Sequence, residues 1–185
     1  LNQTLLIIDA QQELIEGNQE ERGVFNKEQL IKNINLVIEK AGKSDIPVVF
    51  VRDLDVAEGK GNGFQVHGEI SVPANANFFD KAATNSFHGT GLLSHLKSQE
   101  MEHIVIMGCE TQHCIDSAVR TATINGMDVT LVSDGHSTIG GDVLSAEQIV
   151  KHHNETLHGH YNVDHFSIVR NTNEDLFHPT HYLYR

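Results

Sequence analysis

The sequence predicts an α/β protein: a three-layer α/β/α sandwich on a mainly parallel, doubly wound sheet. Two observations carry that expectation. Five short, mostly aliphatic runs recur along the chain, at Thr4–Ala10, Ile46–Arg52, His103–Gly108, Met127–Ser133 and His165–Arg170. Continuous apolar runs of this length suit strands buried on both faces, as in a parallel sheet. The stretches between them carry apolar residues at helical spacing, and right-handed strand–helix–strand crossovers place such helices on both faces of one sheet.

Taken in order, "TLLIIDA" is the first strand, with Asp9 at its end. Asn26 and Gln29 resemble a capping box, followed by Leu30, Ile31, Ile34, Val37, Ile38 and Ala41 on one helical face. After the second strand, Asp55–Ala76 is the one long irregular connection, and its glycines predict a mobile loop over the site. A short strand is expected at Asn77–Asp80, then a helix carrying Leu92, Leu93 and Leu96. The strand ending near Gly108 leads into the helix "IDSAVRTATI", with Thr111 as its expected cap. Ser145 with Gln148 repeats the capping-box signature ahead of "IVKHHNETL", and a last helix is expected after the final strand. No repeat or composition shift divides the chain, so residues 1–185 read as a single domain.

At 185 residues and 39% hydrophobic, the chain is long enough for a proper core. A formal net charge of −12 argues against nucleic acid and against anionic membranes as partners. The 13 histidines reduce that charge below about pH 6. No apolar stretch approaches the roughly 20 residues of a membrane helix, and no signal-peptide pattern opens the chain. Two cysteines make no disulfide framework, and the expected compartment is the cytoplasm.

Ligands of doubly wound sheets bind beyond the carboxyl ends of the strands. Asp9, Asp53, Lys81, Cys109 and Asp134 all fall at or just past expected strand ends. Cys114 falls in the first turn of a helix, where unpaired N–H groups and the helix dipole favour a thiolate. Cys109, at a strand end, has no such field and reads as packing. Asp9, at the mouth of an apolar strand, is a desolvated carboxylate with a raised pKa, suited to accept a proton. Lys81 supplies a fixed positive charge. A zinc site from Cys109, His113 and Cys114 lacks a second ligand pair at metal-like spacing. "GKGNG" at Gly59–Gly63 lies in a loop rather than a strand-to-helix turn, and "GTG" at Gly89–Gly91 follows no clear strand, so nucleotide binding is poorly supported.

Together these segments resemble the isochorismatase-like cysteine hydrolases, the superfamily of nicotinamidases, N-carbamoylsarcosine amidases and ureidoacrylate amidohydrolases. The matching motifs are "LLIIDAQ", "FFDKAATNSFHGTGL" and "VIMGCETQHCIDSAVRTATINGMDVTLVSD", in that order. The resemblance implies the family's Rossmann-like fold and a triad of Asp9, Lys81 and Cys114. It also implies a cis peptide bond joining Cys109 to Glu110, and an oxyanion hole from the N–H groups of Glu110 and Cys114. The implied reaction is hydrolysis of an amide or lactam of a small molecule through a Cys114 thioester, without cofactor or metal. Gln11, Phe64, His67, Phe79 and His113 are the expected substrate-binding residues. A homo-oligomer, dimer or tetramer, is expected as well.

The chain also departs from particular subfamilies. Nicotinamidases carry an Asp-x-His metal element after the second strand, whereas this chain reads "VRDLDVAEGK", leaving only a makeshift set of Asp53, Asp55 and His67. True isochorismatases cleave a vinyl ether and do not need the cysteine. "TQHCIDSAVRTA" with "VTLVSDGHST" is closer to small bacterial amide- and lactam-cleaving enzymes of the streptothricin hydrolase type. Two other readings stay open: a hydrolase of this fold acting on an ether or ester with Cys114 incidental, and a non-enzymatic thiol sensor.

Overall fold

The computed structural model describes residues 1–185. Seven strands form one sheet: β1 (Gln3–Ile8), β2 (Val48–Asp53), β3 (Asn77–Lys81), β4 (His103–Cys109), β5 (Asp128–Ser137), β6 (Tyr161–Asn162) and β7 (His165–Arg170). Their spatial order is β3-β2-β1-β4-β5-β7-β6. All neighbours pair parallel except β6, which runs antiparallel to β7 at the sheet edge. The predicted doubly wound α/β architecture is the observed one.

The continuous apolar runs explain the layers. Every side chain from Leu5 to Ile8 is fully buried, and alternate ones face opposite ways. Leu5 and Ile7 join a core with Leu30, Ile34 and Val37 of α2 (Lys27–Lys43). Leu6 and Ile8 join a second core with Leu92 and Leu96 of α4 (Leu92–Ser98) and Ala118 and Val119 of α5 (Asp116–Ile124). Each buried aliphatic side chain contributes about 1.5–3 kcal/mol, so a strand apolar on both faces is stable only between two helical layers.

Several local expectations need correction. Asn26 does sit at the start of α2, but in a left-handed conformation with no side-chain cap; Gln29 bonds Asn33 instead. The Ser145–Gln148 capping box is fully formed at the head of α6 (Ala146–Leu157). In place of a last helix there is a single 3₁₀ turn, His181–Tyr184. The 55–76 stretch is not irregular throughout. It contains a 3₁₀ turn at Val56–Gly59 and the short helix α3 (Gly61–Phe64). It is tied back to the segment after β1, where α1 (Gln12–Glu16) begins, by Gln12 N–H to Gln65 O (2.8 Å) and His67 N–H to Ala10 O (2.9 Å).

The switch in winding direction falls between β1 and β4: the chain leaves β1 towards β2 and β3, then returns to lay β4 on β1's other side. Their C-terminal ends therefore diverge and leave a crevice. Close approach here depends on Gly108, whose φ is +123° and where an added Cβ would lie 1.9 Å from the Ile8 carbonyl oxygen.

Candidate active site

The crevice opens into a cavity of about 550 Å³ whose wall includes Asp9, Asp53, Glu110, His113 and Cys114. Asp9 follows β1 directly in a left-handed backbone conformation (φ 51°), its N–H held by Val51 O at 2.8 Å. Asp53 and Lys81 end the adjacent strands β2 and β3 in register with each other. The peptide bond from Cys109 to Glu110 is cis. One π-helical turn follows, Thr111–Ile115, closed by Ile115 N–H to Glu110 O, and it runs straight into α5. That turn carries Cys114.

Lys81 is the centre of the cluster. Its ammonium lies 3.1 Å from Asp9 Oδ2 and 3.3 Å from Cys114 Sγ, and it donates to Asp53 Oδ2 and to Ala83 O. Carboxylate oxygens of Asp9 and Asp53 and the Cys114 sulfur fall within 4.8 Å of one another. Three donors this close could hold a cation, and the Lys81 ammonium stands among them in that role. Burial works to lower the lysine's pKa, but the charges of Asp9, Cys114 and Asp53 together hold it above the ordinary value. Burial pushes the Asp9 carboxyl up to about 7, against the pull of Lys81. Burial and the Asp9 charge push the Cys114 thiol up to about 12. The expectation that the helix terminus would hold a resting thiolate is thus reversed, because Cys114 is only 8% exposed and its sulfur lies beside the Asp9 carboxylate.

Thr111 does not cap the helix. Its hydroxyl bonds His136 Nδ1 (2.8 Å), while His136 Nε2 bonds Asn154 Oδ1 (2.8 Å). Asn154 Nδ2 donates to Ser133 O, so its Oδ1 accepts, and the imidazole is neutral with its proton on Nε2. Cys109 is wholly buried between β1 and β5.

Of the expected substrate-binding residues, only His113 lines the cavity. Gln11 is buried beside it and acts as a staple, donating to Asp53 O and Phe64 O and accepting from Asp53 N–H. Phe64 lies under the Arg52 guanidinium (4.5 Å to its ring centre), and Phe79 packs on His95. His67 is buried against Glu16 (2.8 Å). It is therefore not gathered with Asp53 and Asp55, and no cation site of those three is assembled. Asp134 points away from the crevice and accepts from Thr172 N–H and its hydroxyl, because β5 continues three residues past it. The sequence reading missed Glu13, Glu20, Glu21 and Arg22, which wall the cavity on the side following β1. The signal was there: "QELIEGNQEER" is an acidic run starting three residues after Asp9.

No helix is long and apolar enough to cross a membrane. The family model described as "Isochorismatase domain" matches residues 3–152. The chain is 26% identical over 141 residues to the isochorismatase family protein YrdC of Bacillus subtilis (strain 168), covering 74% of each. Its fold resembles that of a cysteine hydrolase from Pseudomonas syringae pv. phaseolicola 1448A, with TM-score 0.80, 16% identity, and coverage of 92% and 89% of the two chains. It also resembles N-carbamoylsarcosine amidase from Thermoplasma acidophilum, with TM-score 0.72, 21% identity, and coverage of 95% and 99%. With most of the chain inside the matched domain, this protein belongs to the isochorismatase family of hydrolases.

Proposed function

We propose that the protein hydrolyses a C–N bond of a small amide or lactam through a Cys114 thioester, with Asp9, Lys81 and Cys114 as catalytic residues. The observation that carries the reading is the Lys81 ammonium within 3.3 Å of both the Asp9 carboxylate and the Cys114 sulfur at the wall of one cavity. A carboxylate titrating at about 7 beside a thiol at about 12 is a base paired with a resting acid. Asp9 takes the Sγ proton as sulfur attacks the carbonyl carbon, and the carbonyl electron pair moves onto oxygen. The Glu110 N–H, engaged with no other backbone group, and the Cys114 N–H receive that oxyanion. Collapse breaks the C–N bond, and the leaving nitrogen takes the proton from Asp9. Water then gives a proton to Asp9 and adds to the thioester, the C–S bond breaks, and the sulfur is reprotonated. Lys81 keeps its charge throughout.

Incubation with an amide library followed by intact-mass analysis tests this. An acyl adduct on Cys114, absent in Cys114→Ala, supports the thioester. Undiminished turnover by Cys114→Ala removes it in favour of ether or ester hydrolysis led by Asp9. A thiol sensor is less well supported, since a buried thiol with a raised pKa reacts slowly with oxidants and leaves Asp9 and Lys81 without a task.

A further inference from the structure

Two carboxylates, not one, close on the Lys81 ammonium, and the thioester scheme uses only Asp9. Asp53 and Lys81 are partners across β2 and β3, so both side chains leave the sheet on the same face. An ammonium has three protons to donate. Four groups stand around this one: Asp53 Oδ2, Ala83 O at 3.0 Å, Asp9 Oδ2 at 3.1 Å and Cys114 Sγ at 3.3 Å. The last two exchange a proton in the reaction. Only Asp53 and the Ala83 carbonyl anchor the ammonium unchanged throughout.

Asp53 is itself held at every polar atom. Its Oδ1 accepts the Asp55 N–H (2.9 Å), its own N–H donates to Gln11 Oε1 (2.8 Å), and its carbonyl accepts from Gln11 Nε2 (3.0 Å). Gln11 is fully buried, and the same amide nitrogen donates to Phe64 O (2.9 Å). This carboxylate is fixed from both sides, with its second oxygen engaged away from the sulfur. The Asp9 carboxyl instead bonds the Cys114 thiol and Lys81.

The count of charges gives the fixed carboxylate its task. Facing Lys81 alone, Asp9 would form a one-to-one buried pair, which holds a carboxylate ionised and makes it a poor proton acceptor. An oxygen of Asp53 lies within 4.8 Å of one of Asp9, so the ammonium is divided between two anions. Besides Asp53 from β2 and Lys81 from β3, Asp9 faces the Cys114 thiol and the buried Cys109 thiol of β4. Burial is the larger reason that Asp9 titrates high; the Asp53 charge acts in the same direction, against Lys81.

From this arrangement we infer that Asp53 is a positioning residue for catalysis. It anchors Lys81 between Asp9 and Cys114 and takes up part of its charge, which leaves Asp9 able to accept the Sγ proton. The inference rests on the thioester reading for that proton transfer, but not for the bond that is cleaved.

The test is alkylation of Cys114 by iodoacetamide in the intact protein, followed by fragment-ion mass from about pH 5 to about pH 9. Sulfur displaces iodide as the C–S bond forms, and the thiol proton passes to Asp9 and on to water. The rate therefore reads the ionised form of Asp9. In the unsubstituted protein it should rise through about pH 7. Asp53→Asn should move that rise about one pH unit lower and reduce the rate above it at least about threefold. Asp53→Glu keeps the charge and should keep the rise in place. A slower Asp53→Asn whose rise has not moved would make Asp53 merely structural and overturn the inference. So would an equal shift in Asp53→Glu, a profile of the unsubstituted protein without the rise, or failure of both Asp53→Asn and Asp53→Ser to fold. A shifted rise in a protein that no amide acylates would remove the amidase reading and keep the role of Asp53. Acylation by amides with an unmoved rise would do the reverse.

Discussion

Lys81 Nζ stands 3.3 Å from Cys114 Sγ, with Asp9 and Asp53 on other sides of the same ammonium. The lysine is 1% exposed, so the cation is committed to this cluster and not shared with solvent.

Removing that charge leaves carboxylates desolvated without a counter-ion. Lys81→Met should destabilise the protein by about 3–5 kcal/mol at pH 8, the scale for breaking a buried pair by deleting one member. The loss should be smaller at pH 5, where Asp9 is protonated in the folded state and needs no partner. Urea unfolding at the two pH values measures both. An equal loss at each would mean that Asp9 is not the group Lys81 stabilises.

Activity should rise with pH through about 7, the value to which burial lifts Asp9. Below that, kcat/KM should fall tenfold per pH unit as the base is protonated. No descending limb is expected below about pH 10, because Cys114 titrates near 12 and Lys81 above its ordinary range. Asp9→Asn should lose about 10²–10⁴-fold in rate.

His136 should make the protein acid-sensitive. Burial pushes its pKa from an ordinary 6.5 down to about 4. Below pH 6.5 the unfolded chain therefore binds a proton that the folded one refuses until about pH 4. Stability is full above 6.5 and falls as pH drops through that window, by about 1.4 kcal/mol per pH unit for this group. His136→Gln should flatten that limb between unfolding curves taken at pH 4.5 and 7.5. Buried His103, pushed to about 3, adds to the acid-side loss, while Asp9, raised to about 7, takes up a proton on folding in the same window and opposes it.

Two glycines should respond in opposite ways to alanine. Gly108→Ala puts a Cβ 1.9 Å from Ile8 O at a φ of +123°. Because a backbone atom is in the way, the β1–β4 contact must part, and thermal melts should show severe destabilisation or no folded protein. Gly42→Ala, near the end of α2 with nothing within 4 Å of the new methyl, should be neutral or stabilising by up to about 1 kcal/mol.

The amino-acid order alone determined the layers and the neighbourhood of the site. Leu5–Ile8 and Ile104–Met107 are apolar at every position, which leaves only the middle of a two-sided sheet, and strand direction then carries Asp9, Lys81 and Cys114 to one edge. The Ser145–Gln148 cap was legible because both partners lie within one turn of each other. Tertiary structure decided which side chains face the cavity. Asp53 and Asp134 look alike as strand-end aspartates, yet one meets Lys81 and the other Thr172, since the length of β5 is set by its pairing with β4 and not by its own residues. Gln11 and His67 likewise turned inward to bond backbone and Glu16 from distant segments. The resting state of Cys114 was also a tertiary outcome. Its place at a helix start is local, but the desolvation and the Asp9 charge that keep it a thiol come from how β1 and β4 pack together.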